Sequence, residues 1–165
     1  MKKIILTIII LISIALTGCS IANTPTAQVE GLLSNYQRLD KNITINYADL
    51  AGNDDLSSDL QNEYNDLIKD QYQSMSYEVK EEIVDGDTAT VTTSIKVKDY
   101  KKIINKYNKN EYQTNEYHNL IVDALKDAKE TVTYTIDFTL TKDSEGDWQV
   151  DDLTNEMKEK LLGIN

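Results

Sequence analysis

His118 is the only histidine of the chain, so nucleophilic catalysis by a serine or cysteine would have to use it. The one cysteine is remote, at position 19, and the chain contains no Gly-x-Ser-x-Gly turn of the kind that presents a nucleophilic serine. His118 also falls beside Tyr117, at the boundary of the apolar stripe of a predicted helix. We therefore expect a surface or boundary histidine rather than a catalytic one.

Carboxylates are the other plentiful chemical group, and calcium is the ion they would suit. The turn Asp143-Ser144-Glu145-Gly146-Asp147 places oxygen atoms at alternate positions. An EF-hand would need glycine at its sixth position and glutamate at its twelfth, where this chain has Trp148 and Thr154. Zinc sites built on histidine and cysteine lack ligands. We therefore predict no metal site and no cofactor.

Covalent lipidation is the chemistry that the N-terminal residues favour. Lys2 and Lys3 precede an apolar run, Ile4 to Leu16, that is too short for an ordinary transmembrane helix and has the layout of an export signal. Leu16-Thr17-Gly18-Cys19 then resembles the lipobox of bacterial lipoproteins. The resemblance implies a diacylglyceryl thioether on Cys19 and removal of residues 1–18. The alternative is a secretory signal cleaved elsewhere, with Cys19 incidental.

The expected location follows from this anchor. Residues 19–24 would form the lipidated cysteine and a short tether, and residues 25–165 a single domain close to the extracytoplasmic face of the cell membrane. Arg38 is the only arginine, and Asn, Lys, Ile and Tyr are abundant, which is typical of an AT-rich, Gram-positive bacterial genome.

Charge limits the choice of partners. The formal net charge is −11, and it becomes −13 once Lys2 and Lys3 are removed. Nucleic-acid binding requires a basic face, so that class is disfavoured. An acidic protein is also repelled by anionic headgroups, and the lipid itself should provide the attachment.

One stretch opposes the overall charge. Six lysines with interleaved tyrosines occupy fourteen residues: Lys96, Lys98, Lys101, Lys102, Lys106 and Lys109. This lysine patch could meet anionic lipid or wall polymer beside the anchor. It could equally be the solvated face of a strand end and a helix, which is the interpretation that we favour.

Hydrophobic periodicity predicts the elements that hold these residues. Helical spacing predicts helices at 25–39, after the N-cap Thr24 and Pro25, and at 56–74, with an additional helical stretch at 99–107 and a third long helix at 115–129. Thr154 can cap a final helix at 155–162, which ends at Gly163. Residues 43–45 could hold a short extended piece.

Alternation with period two predicts two hairpins. The first joins strands at 76–84 and 89–97 through Asp85-Gly86-Asp87, and the second joins 132–140 to a short strand starting at Trp148. The order is helix, helix, strand, strand, helix, strand, strand, helix. It predicts an α+β domain, a bent antiparallel sheet of about four strands packed on helices.

This order, together with Gly146-Asp147-Trp148-Gln149-Val150-Asp151, resembles small Gram-positive lipoproteins with domains of unknown function in the nuclear-transport-factor-2-like (cystatin-like) group. The resemblance covers residues 25–153 and implies a cone with a pocket between sheet and helices. The helix at 155–162 and the insert at 99–129 depart from its simplest form and could fill that pocket.

Three aromatic residues are candidates for lining such a pocket: Tyr134, Phe138 and Trp148. For Tyr134 the competing interpretation, which we favour, is a core tyrosine with a satisfied hydroxyl, and for Trp148 it is packing at the closing hairpin. Asp137 alternates with the apolar row of its strand and should face solvent.

The leading hypothesis is a membrane-tethered, non-enzymatic module that binds a small ligand or an unknown envelope protein. The alternative is a small-molecule enzyme or carrier that uses a pocket inside the cone. A third hypothesis is a structural partner in an envelope complex, which an exposed apolar patch away from the anchor would favour.

Overall fold

The structure is a computed structural model that describes residues 23–165. The expected signal segment, the lipobox and Cys19 lie outside these described residues. Between Asn23 and Asn165 no helix combines the length and the apolar character that crossing a bilayer requires.

Six α-helices, a 3-10 turn and four strands make up the described chain. The helices are α1 (Pro25–Arg38), α2 (Ala48–Ala51), α3 (Ser58–Ser74), α4 (Tyr100–Ile104), α5 (Thr114–Lys126) and α6 (Asn155–Leu162), with the 3-10 turn at Lys109–Glu111. The strands are β1 (Ser76–Asp85), β2 (Thr88–Lys98), β3 (Thr131–Lys142) and β4 (Trp148–Val150).

Local sequence signals account for most of these boundaries. The side chains of Thr24, Ser57 and Thr154 accept hydrogen bonds from backbone N–H groups in the first turns of α1, α3 and α6. Such caps satisfy donors that a helix leaves unpaired at its start. Gly163 ends α6 in the left-handed conformation, as predicted.

The four strands form one open antiparallel sheet in the order β1-β2-β3-β4. Helix α1 contacts strands at both edges of this sheet, since Thr26 binds Glu82 of β1 and Asn23 binds the start of β4. The predicted α+β class, with a four-stranded antiparallel sheet packed on helices, is confirmed.

The core lies between the helices and the inner face of the sheet. The alternating residues of β2 that were predicted to face inward are all buried: Ala89, Val91, Thr93, Ile95 and Val97. Large side chains from the helices meet them, including Tyr64 and Ile68 of α3 and Leu125 of α5. Leu161 and Leu162 of α6 pack into the same core.

Two local predictions differ from the structure. Residues 43–45 form no strand, and the short helix α2 follows them at Ala48–Ala51. The helical stretch predicted at 99–107 is a single short helix, α4, with a 3-10 turn behind it. Four to five residues carry too little periodicity to distinguish a helical turn from a loop.

Candidate functional site

His118 is buried, which contradicts the expectation of a surface or boundary histidine. Its side chain is only 1% exposed. Nδ1 lies 2.7 Å from the hydroxyl of Tyr64, and Nε2 lies 2.7 Å from Oδ2 of Asp54. The rings of Tyr64 and Tyr117 meet the imidazole edge to face, with centroids 5.6 and 5.2 Å away. The buried face of α5 therefore extends one position further than its apolar stripe indicates.

The direction of each hydrogen bond follows from its partners. Hydrogen bonds from Lys109 and then from His118 lower the pKa of Asp54, so its carboxylate is ionised at neutral pH and can only accept. Nε2 of His118 must then carry the proton that it donates. Burial raises the pKa of the Tyr64 hydroxyl, which stays protonated and donates to Nδ1. In this arrangement Nδ1 of His118 accepts from Tyr64 and Nε2 donates to Asp54.

These four residues form a polar relay: Tyr64, His118, Asp54 and Lys109. Tyr64 and His118 are sealed in the core, and only Asp54 and Lys109 reach solvent. A nucleophile or general base must touch its substrate, and neither buried residue can do so in this arrangement. The relay instead ties the loop before α3, the 3-10 turn and α5 together.

The three aromatic candidates are spread along β3 and β4. Phe138 is fully buried in the core, and Trp148 is 6% exposed, with the ammonium of Lys142 4.8 Å from its ring centroid. The hydroxyl of half-buried Tyr134 donates to the carbonyl of Asn165 at 3.0 Å. Tyr134 thus has a satisfied hydroxyl. Asp137 is exposed and accepts a hydrogen bond from Thr92 at 2.7 Å, so its predicted orientation is confirmed.

Three of the six lysines of the lysine patch pair with carboxylates. Lys98 pairs with Asp70 of α3, Lys102 with Glu130 before β3, and Lys109 with Asp54. Within residues 23–165, Lys101 and Lys106 form no ion pair, and Lys96 is exposed on the outer face of β2. The first pair joins the end of β2 to α3, and the other two join the insert after β2 to other elements, which favours the interpretation as a solvated, ion-paired face.

A groove of about 240 Å³ lies beside this patch, between α4 and the start of β3. Its floor is apolar, with Ile103, Tyr107 and Ala128, and its rim carries both signs of charge. For residues 23–165 there is no cluster of three or more histidine, cysteine or carboxylate side chains that could hold a metal ion.

The start of the domain, at Asn23, is bound to the end of the sheet that lies away from the lysine patch. Asn23 donates to the carboxylate of Asp147 at 2.8 Å and accepts from the backbone N–H of Trp148 at 3.0 Å. These residues belong to the β3–β4 turn, next to the β1–β2 turn that Lys142 contacts. Lys98 lies at the far end of β2, about 33 Å along the strand. The structure therefore does not place the lysine patch beside Asn23.

Comparison with known proteins adds nothing to this geometry. No family model, no curated protein and no solved structure matches the chain.

Proposed function

We propose that this chain is a bacterial lipoprotein anchored through Cys19 to the extracytoplasmic face of the cell membrane. The observation that carries the proposal is Leu16-Thr17-Gly18-Cys19 directly behind an apolar run. The orientation follows from Asn23, which is bound to the β3–β4 turn four residues after Cys19. Four residues span at most about 14 Å. An anchored domain would therefore stand against the membrane with its two hairpin turns nearest the lipid.

Residues 25–165 would act as a non-enzymatic interaction module. The packed core between sheet and helices supports this part of the proposal, since Tyr64, Tyr100 and Phe138 occupy it with almost no exposed surface. The same packing counts against an enzyme or carrier that works inside a cone, because such a protein needs an open apolar cavity.

The proposal includes the nuclear-transport-factor-2-like group as the fold family. Its supports are the open four-stranded antiparallel sheet, the helices on one face, and α1 in contact with both sheet edges. In this chain Leu161 and Leu162 of α6 and Tyr100 of α4 are buried in the core, which supports a filled interior.

Metabolic labelling with an alkyne fatty acid tests the anchor. The full-length chain, expressed in a bacterium, should incorporate the label and yield a mature N-terminus at Cys19. Cys19→Ala should incorporate none, whereas the neighbouring Ser20→Ala should label like the parent protein. A parent protein that remains unlabelled, or label that survives in Cys19→Ala, would contradict the proposal.

A further inference from the structure

The second half of β1, residues 80–85, is the most exposed part of the sheet. Every residue from Lys80 to Asp85 is exposed, and β1 is an edge strand with β2 as its only neighbour. Ile83 and Val84 are 55% and 50% exposed, more than any other large apolar side chain in residues 23–165. A free edge with apolar side chains offers both hydrogen bonds and burial to an added strand.

A β-bulge explains why Ile83 lies on the outer face of the sheet. The register between β1 and β2 shifts between Val79 and Glu81. Beyond this point Glu82 pairs with Val91 and Val84 with Ala89, on the inner face, while Ile83 pairs with Thr90, on the outer face. One extra residue therefore moves Ile83 from the core side to solvent. Both faces of the edge then carry an apolar side chain.

We infer that this edge is a docking site for an extended segment of a partner protein, which would add as a further strand beside β1. Such a segment would form backbone hydrogen bonds with residues 80–85 and cover Ile83 and Val84. Glu82 and Asp85 adjoin the apolar pair in the chain, and Glu81 lies on the same face as Ile83. Charge complementarity therefore favours a partner strand with apolar residues opposite both Ile83 and Val84 and with lysine or arginine on either side of them.

The same charges disfavour two other occupants. A second copy pairing antiparallel around Ile83 would place Glu81 opposite Asp85, and a shift by one residue in one direction would place Glu82 opposite Asp85. Like charges directly opposite destabilise a strand pair. The shift in the other direction would pair Lys80 with Asp85, but it would set Glu81 and Glu82 opposite the apolar pair and leave that pair without apolar partners. A bilayer would have to accept Ile83 and Val84 together with these carboxylates, which anionic headgroups repel.

The location of the partner rests on the proposed function. Glu82 accepts hydrogen bonds from the backbone and hydroxyl of Thr26, at 2.9 and 2.7 Å. Thr26 is seven residues from Cys19, so a lipid on that cysteine would hold the β1 edge near the membrane surface. The partner strand would then belong to a membrane-proximal stretch of an envelope protein.

Hydrogen exchange in the full-length protein, purified in detergent, tests the pairing without relying on lipidation. The probe is a nine-residue peptide with two adjacent valines at its centre and lysines on both sides of them, and its analogue carries glutamate in place of lysine. We expect the basic peptide to slow exchange in residues 80–85 and the acidic analogue to have no effect. Equal protection by both peptides, or protection confined to other segments, would overturn the inference.

Two matched variants locate the site. Ile83→Lys places a charge on the edge and should weaken binding of the basic peptide about tenfold or more. Leu120→Lys changes a 36% exposed leucine on α5 and should leave binding unchanged. Undiminished binding by Ile83→Lys would overturn the inference. Protection of residues 80–85 that increases with protein concentration in the absence of peptide would also overturn the inference, because it would identify a second copy of the chain as the occupant. Protection by phospholipid vesicles alone would identify a bilayer as the occupant and overturn it as well.

Discussion

Asp54 joins a buried histidine to a lysine at the surface. Lys109 and His118 lower the pKa of Asp54 in the folded protein. As the pH falls, the Asp54 carboxylate is therefore protonated in the unfolded chain before it is protonated in the folded protein. The ionised Asp54 therefore contributes its full stabilisation of the fold above the ordinary carboxyl pKa of about 4. This contribution is lost as the pH falls through the lower pKa that Asp54 has in the folded protein. Asp54→Asn keeps an acceptor for His118 but removes this charge.

We expect Asp54→Asn to have a lower free energy of unfolding than the parent at pH 7, with the difference shrinking between about pH 5 and pH 2. Urea denaturation at several pH values measures it. Asp55→Asn is the matched control, since Asp55 is exposed and forms no ion pair within residues 23–165. A constant difference between Asp54→Asn and the parent across this range would contradict the assignment.

The relay could not be predicted from the sequence, although each of its members is visible there. Tyr64 and Asp54 are separated from His118 by 54 and 64 residues, and no local pattern links them. The stripe of α5 places His118 at a boundary, and only the packing of α3 against α5 decides that it is buried. The one signal in the sequence was the position of His118, a polar residue at the edge of an apolar stripe, where other polar groups could reach it.

Elements were more predictable than their contacts, because burial on one face repeats with the period of the element. The alternation in β2 and β3 predicted which residues face inward, including Thr93, which is fully buried. The bulge in β1 was not predicted. Its effect on Ile83 depends on the pairing with β2, and the apolar pair Ile83-Val84 is compatible with either face.

The junction of α6 with the sheet depends on Gly163. A Cβ atom at this position would lie 2.0 Å from the carbonyl oxygen of Lys98 and 2.7 Å from Nε2 of Gln71. The carboxamide of Gln71 already donates to Lys98 and Leu162 at 2.9 and 2.8 Å. A side chain at Gly163 must therefore displace α6 from β2 and break these hydrogen bonds.

We expect Gly163→Ala to lower the free energy of unfolding by about 3 kcal/mol, as measured by urea denaturation. Gly86→Ala is the control, because Gly86 also has a positive φ, 62°, but has no atom within 4 Å of the added Cβ. It should cost about 1 kcal/mol, the penalty of the left-handed conformation alone. Similar losses in the two variants would show that the contact with Lys98 is not decisive.

At the scale of the whole molecule, the two ends of the sheet have different surroundings. Asn23 and both hairpin turns lie at one end, where Asp85, Asp87, Asp143 and Asp147 are exposed. Lys98, the groove beside α4 and the start of β3 lie at the other end. Tethering by four residues would hold the end with the hairpin turns close to the membrane and the end with Lys98 further from it.

Site-specific labels can measure this orientation, because Cys19 is the only native cysteine and would be occupied by lipid. Ser144→Cys places a fluorophore in the β3–β4 turn, and Thr131→Cys places one at the start of β3, where Thr131 pairs with Lys98. Both positions are exposed. In vesicles that carry a short-range quencher on the lipid headgroups, the label at position 144 should be quenched strongly and that at 131 weakly. Detergent-solubilised protein should show equal, unquenched emission. Equal quenching at both positions in vesicles would mean that the anchor does not orient the domain with its hairpin turns toward the membrane. The β1 edge would then not be held close to the membrane surface.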